Sequence, residues 1–250
     1  MALSSLWLLG LPGDWLLDDY SLPGLDFPSL ARPRPLTYLT YWLQEQLSGP
    51  LPWAWRLGNI VLHGVAVQCC YRALRRLVGA ERALVAAALF AVHPLQAEPV
   101  LYVFSRPVVL MGLLLWVALE QWLKGKHGWA FVFYGLALAA KEEAVAFPLL
   151  LGALHLSISH NAREWRWIGA MAAVAGVAGA GLLVASGEAG SGAGSQAGWT
   201  WLEYAGTQPW VIGLYVKQLV WPEFLGLRWQ VEMLPGWGLG LWLLPLVGLW

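Results

Sequence analysis

Charge is the scarcest commodity in this sequence: Lys, Arg, Asp and Glu make up 12% of 250 residues, and the formal net charge is zero. Water-soluble domains carry about a quarter charged residues, so with a mean hydropathy of +0.56 a soluble fold is not expected. Without a surplus of clustered Lys and Arg there is no phosphate-neutralising face, which removes nucleic acid as a partner. Cysteine is nearly absent. Cys69 and Cys70 are the only two; being adjacent in an apolar stretch, they exclude a disulfide framework and offer no metal-ligand spacing. They read as packing residues. The N-terminal MALSSLWLLGLPGDW has no basic flank and reaches Pro12 before it can span hydrocarbon, so it is neither a signal peptide nor a membrane span. It is either interfacial or follows a first helix that is missing from this chain. The apolar run GLGLWLLPLVGLW stops without a polar flank, so truncation is expected at that end too. No helical repeat period is visible.

What the sequence has instead is apolar surface: 58% hydrophobic residues and 18 tryptophans, whose indoles favour the edge of a bilayer. The expected fold is all-α, a polytopic transmembrane bundle of about 7–8 helices. Residues 57–71 begin a spanning helix that ends at Arg72, Arg75 and Arg76. Two short apolar arms within 83–119 flank the polar turn QAEPVLYVFSR, and a second hairpin, WAFVFYGLALAA and AVAFPLLLGALHL, flanks Lys141, Glu142 and Glu143. Arms this short at ~1.5 Å per residue place both turns inside a protein-lined cavity at membrane depth. The Ala-, Gly- and Val-rich 167–186 reads as a close-packed span, GEAGSGAGSQAG as a flexible loop, and 208–221 and 237–250 as further helices. Residues 1–56 form an outer-face segment with an interfacial helix, and 57–250 the transmembrane domain.

Charge counting orients the bundle. If loops 72–82, 120–128 and 157–166 lie inside, they hold Arg72, Arg75, Arg76, Arg82, Lys124, Lys126, Arg163 and Arg166, whereas loops 93–107, 141–143 and 187–206 hold only Arg106 and Lys141. This obeys the positive-inside rule. The acids run the other way, with three in the inner loops (Glu81, Glu120, Glu164) against ten in residues 1–56 and the outer loops.

The outer face therefore collects Asp18, Asp19, Arg32, Arg34, His93, Glu98, Arg106, Lys141, Glu142 and Glu143 from distant parts of the chain. Ionisable groups at membrane depth mark sites. In WLLDDYS one carboxylate suits a general base whose neighbour orients substrate or raises the first one's pKa; a hydrated helix cap is the plainer alternative. Pro94 breaks the helix so that His93 and Glu98 flank an irregular segment able to bind phosphate or sugar, although a lone His at a helix end is commonly structural. Arg32-Pro33-Arg34-Pro35 presents guanidinium groups stiffened by proline, suited to phosphate or to interfacial snorkelling. Lys141-Glu142-Glu143 draws a cation close to the core or is a hydrated turn. His63, alone within a helix, reads as a packing group. The acids show no spacing that demands a divalent metal, and none that forbids one.

Six segments in order, WLLDDYS, RPLTYLTYWL, RLGNIVLH, AALFAVHPLQAEPVLYVFSR, AAKEEAVAFPLLL and TQPWVIGLYVKQLVWPEFLGL, resemble the membrane part of the transmembrane and tetratricopeptide-repeat O-mannosyltransferases and their bacterial relatives, within the C-type superfamily of membrane glycosyltransferases. The resemblance runs from Trp15 to Leu227. It implies a bundle that takes a sugar, mannose among the candidates, from a polyprenyl-phosphate carrier to a protein or other acceptor hydroxyl. Transfer would occur on the extracytoplasmic face, periplasmic or lumenal, in the inner membrane if the protein is bacterial. By that likeness Asp18 is the general base and Asp19 its support. Arg34, His93, Arg106 and Lys141 bind the lipid phosphate, while Glu98 and Glu142 orient those groups or the sugar. Three departures stand out: no full span precedes the acid pair, Pro107 and Val108 replace an acid the family often carries two positions after the arginine, and the chain stops before any tetratricopeptide repeat. A lipid-substrate carrier of the flippase kind and an inactive fragment are the competing readings.

Overall fold

The computed structural model describes residues 2–28, 33–158, 162–188 and 201–222, whose regular elements are all helices, with no strand among them. They fall into two compact units, Met1–Gly179 and Ala180–Trp250.

In the first unit a 3-10 helix, Ala2–Gly10, and a 3-10 turn, Leu17–Ser21, precede α1 (Pro35–Ser48). Then come α2 (Pro52–Val78), α3 (Ala80–Val92), the short α4 (Ala97–Leu101), α5 (Arg106–Leu123), α6 (His127–Ala140) and α7 (Phe147–Ile158). Helix α8 (Ala162–Glu188) carries the chain out of this unit. Proline at the first position of α1 and α2 suits a fixed φ where the N–H has no helical partner. Gly79 and Gly125, at φ +86° and +72°, make the tight reversals after α2 and α5 that a side chain would resist.

Helix α2 packs against both α3 and α5, and α5 packs in turn against α6; α2 and α5 run parallel, joined near their starts by Asn59 and Arg106 and near their ends by Arg72 and Glu120. Their seams are built from fully buried alanines, Ala73 on α2, Ala118 on α5, and Ala130, Ala137 and Ala140 on α6, which let backbones approach closely. Around them lies the largest core, Leu119, Trp122, Tyr134, Phe147, Leu151, Ile168 and Met171, drawn from α5 to α8. Cys69 and Cys70 are buried packing residues without a disulfide. His63 is likewise buried, its Nε2 3.1 Å from the Ala91 carbonyl oxygen.

Most expected elements are found with longer bounds. The helix expected from residue 57 begins at Pro52 and runs 27 residues, ~40 Å at 1.5 Å per residue. Among the described residues one stretch, Val103–Leu123, is long and apolar enough to cross a membrane; Ala80–Val92 and Pro94–Leu101, bent by 52° at the proline, make a second if counted together. Helix α6 is apolar but short, as expected, whereas the second arm of the first hairpin, expected to be short, is the spanning-length Val103–Leu123.

In the second unit α9 (Trp201–Val220) contains Pro209. Its start corrects the expectation that 187–206 is all loop: residues 201–206 are helical, because the Trp201–Tyr204 turn continues directly into the apolar run. Residues 237–250 and most of the Gly/Ser-rich loop lie outside the described residues.

Candidate functional site

The loops at one end of the first unit gather the expected acids, and each is held differently. Asp18 and Asp19 sit on the Leu17–Ser21 turn. Asp19 is completely buried. Its Oδ1 accepts the Phe104 N–H (2.7 Å) and its Oδ2 the Leu16 N–H (3.2 Å). Burial raises the Asp19 pKa above its ordinary value, and the two N–H donors and the Arg56 charge only partly oppose that. Leu17 has φ +43°, a left-handed conformation that costs a leucine ~1–3 kcal/mol and persists only where neighbours impose it. Here they do. Arg56, itself buried, donates to the carbonyl oxygens of Leu11 (3.1 Å), Gly13 (2.8 Å) and Asp14, pinning the approach to the turn.

Asp18 is exposed. The Tyr102 hydroxyl reaches it twice, donating to Oδ2 (3.0 Å) and accepting the Asp18 N–H (3.2 Å). Tyr102 lies between α4 and the 3-10 turn Val103–Ser105, in extended backbone (φ −86°, ψ 111°), which is how the broken segment turns its side chain away from the helical path.

His93 ends α3 in extended backbone, and its Nδ1 accepts the Leu95 N–H (3.2 Å), capping the turn Pro94–Gln96. Glu98 is exposed on α4 and accepts from the Ser105 hydroxyl (3.3 Å). Arg106 lies elsewhere. It is 1% exposed at the start of α5, donating to Asn59 Oδ1 (2.7 Å), Gln44 Oε1 (2.5 Å), Trp55 O (3.1 Å) and Thr40 O (3.4 Å). Its guanidinium carbon sits 4.6 Å from the Tyr41 ring centre and 5.7 Å from that of Trp55. This is a cation locking α1, α2 and α5 together.

At the end of α6 the backbone extends at Lys141 (φ −158°, ψ 138°) before the 3-10 turn Glu142–Ala146. Lys141 Nζ pairs with Glu143 Oε1 at 2.8 Å. Glu142 takes the fork of Arg34, Nε to Oε2 at 2.8 Å and Nη2 to Oε1, across 108 residues of sequence. Such a two-point pair is geometrically selective. It holds the Glu142 pKa below its ordinary value and raises that of Arg34. Arg34 precedes α1 at φ +58°, a second non-glycine residue in the left-handed region at this end.

Helix α1 ties the groups together. Near its start the Thr37 hydroxyl donates to the Ala140 carbonyl oxygen (2.9 Å), and one turn later the Tyr41 hydroxyl donates to the Val103 carbonyl oxygen (2.8 Å). The Arg34, Glu142 and Lys141 cluster thus adjoins the first turn of α1, and the Asp18, Asp19 and Tyr102 cluster joins the segment bonded to the second, positions 34 and 41 being ~10 Å apart along the helix. Among the described residues no group of three or more His, Cys, Asp or Glu side chains is arranged to hold a metal ion. Sequence reasoning missed Tyr102, Arg56, Asn59 and Gln44. The one available signal was for Tyr102, an aromatic in the middle of the polar turn QAEPVLYVFSR.

Fold and site together define an all-helical protein whose acidic end carries a fixed, exposed carboxylate and, apart from it, an arginine–carboxylate fork. The chain belongs to the dolichyl-phosphate-mannose-protein mannosyltransferase family, whose sequence model matches residues 31–186. That stretch contains Arg34, His93, Glu98, Arg106, Lys141 and Glu142 and begins after the acid pair. The chain is 34% identical over 93 residues to the mouse protein O-mannosyl-transferase TMTC3, covering 37% of this chain and 10% of the relative. It is 32% identical over 143 residues to Drosophila melanogaster Tmtc1, covering 54% and 17%. To Tmtc2 of the same fly it is 37% identical over 91 residues, covering 36% and 10%. The matched stretches therefore span less than a fifth of these relatives. No solved structure matches the chain.

Proposed function

We propose that this chain is the membrane part of a glycosyltransferase that moves a sugar, mannose by the relatives' names, from a polyprenyl-phosphate carrier to a hydroxyl of a protein or other acceptor. The observation that carries the reading is Asp18: a carboxylate exposed at the acidic end, yet fixed by Tyr102 on a strained turn. The acceptor O–H gives its proton to Asp18 and the oxygen forms its bond to the sugar C1. The bond from C1 to the phosphate oxygen breaks, its electron pair staying on the phosphate. Arg34 and Lys141 receive that charge, so the leaving group departs unprotonated, with Glu142 holding Arg34 in position. His93 and Glu98, on the broken segment that also carries Tyr102, serve as sugar or phosphate contacts. Asp19 holds the turn, and Arg106 positions the frame from beneath instead of meeting the phosphate. The family membership, the apolar composition and the opposed charge of the loops support a multi-pass protein with this end extracytoplasmic.

Membranes containing the full-length protein, given labelled polyprenyl-phosphate sugars, test this. Asp18→Asn is expected to lower product formation by at least ~10²-fold, the usual range for a general base, with insertion unchanged. Full turnover in that variant would remove Asp18 from the mechanism. No product from the wild type with any common sugar would favour the lipid-carrier reading.

A further inference from the structure

We propose that Tyr102 is the positioning residue for Asp18, setting the carboxylate's orientation so that it can take the acceptor's proton. This rests on the reading of Asp18 as the base. Nothing in the turn itself restrains that side chain: Asp18 is exposed, and the backbone ahead of it is in a strained conformation. The restraint comes from 84 residues away. One phenol oxygen donates to Oδ2 at 3.0 Å and accepts the Asp18 N–H at 3.2 Å, fixing main chain and side chain of the same residue from a single point.

The phenol is itself well placed. Tyr102 is 8% exposed, and its ring centre lies 6.2 Å from that of Phe104. Its N–H donates to the Glu98 carbonyl oxygen (3.0 Å), and its own carbonyl oxygen accepts the Ser105 N–H (3.0 Å). The neighbouring Phe104 N–H holds Asp19, so the 102–104 segment grips the acid pair at two adjacent residues. A carboxylate that is both exposed and oriented loses little freedom on reaching the transition state, and misplacement by about 1 Å can lower a rate ~10²-fold.

The test compares Tyr102→Phe and Tyr102→Trp in the full-length protein, beside Asp18→Asn. Phenylalanine keeps the ring and loses the hydroxyl; tryptophan keeps an aromatic ring with one N–H donor. Tyr102→Phe should lower kcat ~10-fold or more and leave the donor KM within ~2-fold, because Arg34 and Lys141 are untouched. Tyr102→Trp should keep more kcat than Tyr102→Phe. Equal kcat in wild type and Tyr102→Phe, a Phe variant at least as active as Trp, a rise in donor KM alone, or failure of Tyr102→Phe to insert and fold would each overturn the proposal. Should Asp18→Asn remain active, the reading of the base fails. If Asp18→Asn is dead and Tyr102→Phe is fully active, the positioning role alone fails.

Discussion

The two ends of the helical bundle use the same residue types and satisfy them in opposite ways. At the basic end Glu120, almost fully buried, takes Arg72 Nε (3.1 Å) from α2 and Lys124 Nζ (2.5 Å) from its own helix. Glu164 on α8 takes His155 Nδ1 (2.7 Å) from α7 and has His127 Nε2 of α6 at 3.9 Å. Glu120 and Glu164 each tie neighbouring segments together through two partners. At the acidic end Asp19 is satisfied by backbone N–H groups and Asp18 by a phenol, while the cation fork on Glu142 comes from a strained N-cap. Acids closed off by cations hold helices together. Asp18, exposed and held by a neutral donor, keeps its charge available. What sets Asp18 apart from the other held carboxylates is that it is exposed and held by a neutral phenol, and composition alone does not show that.

The sharpest way to test this contrast is Arg106, the expected site cation that is buried and held by amide and backbone oxygens in the core. Arg106→Met leaves Asn59 Oδ1 and Gln44 Oε1 without their donor in the core, and each buried acceptor left unpaired costs about 1–3 kcal/mol. The folded yield and thermal midpoint should collapse. A variant that folds normally but no longer binds donor would return Arg106 to the phosphate. Next in size is Glu120→Gln, which loosens α2 from α5. Because Arg72 is half exposed, about 1–2 kcal/mol is expected, read as a lower midpoint with kcat unchanged. A lower kcat with an unchanged midpoint would erase the distinction between the ends.

Glu142→Gln should do the reverse. One amide oxygen still accepts from Arg34, so stability barely moves, while the poorly oriented fork raises the donor KM about 5-fold, or ~1 kcal/mol. A changed midpoint with an unchanged KM would make the Arg34–Glu142 pair another structural tie.

Much of this was legible beforehand, for physical reasons that can be named. Helix positions followed from apolar runs broken at Pro94 and at Lys141: Pro94 lacks an N–H to donate and its ring crowds the preceding turn, whereas Pro209 sits inside α9 without ending it. The gathering of acids at one end followed from counting loop charge. Partners were not legible. Arg34 and Glu142 are 108 residues apart, and no local pattern says that Arg34, not Arg106, meets a carboxylate fork. Arg106 looked functional because a cation near a membrane-depth turn is costly; Asn59 and Gln44, which offset that cost, are neutral residues with no pattern of their own. Tyr102 was hidden because its role depends on the break between α4 and α5, a backbone feature that appears only once the segment folds.

The smallest effect concerns acid, and it separates the two held carboxylates by sign. Asp19 has its folded pKa raised above 3.8 by burial, so its contribution to stability is fully present below 3.8 and is lost as pH rises through the folded value. Glu142 has its folded pKa lowered below 4.5 by Arg34, so its contribution is present above 4.5 and is lost as pH falls through the folded value. Thermal midpoints measured from pH 6 down to about 3 should therefore diverge. The advantage of wild type over Asp19→Asn should grow on acidification, and its advantage over Glu142→Gln should shrink. For the half-exposed Glu142 pair the change should stay under ~1 kcal/mol. If both differences moved in the same direction, Asp19 would be acting as an ion-paired acid like those at the basic end. Its backbone donors would then not explain how the acid pair is held.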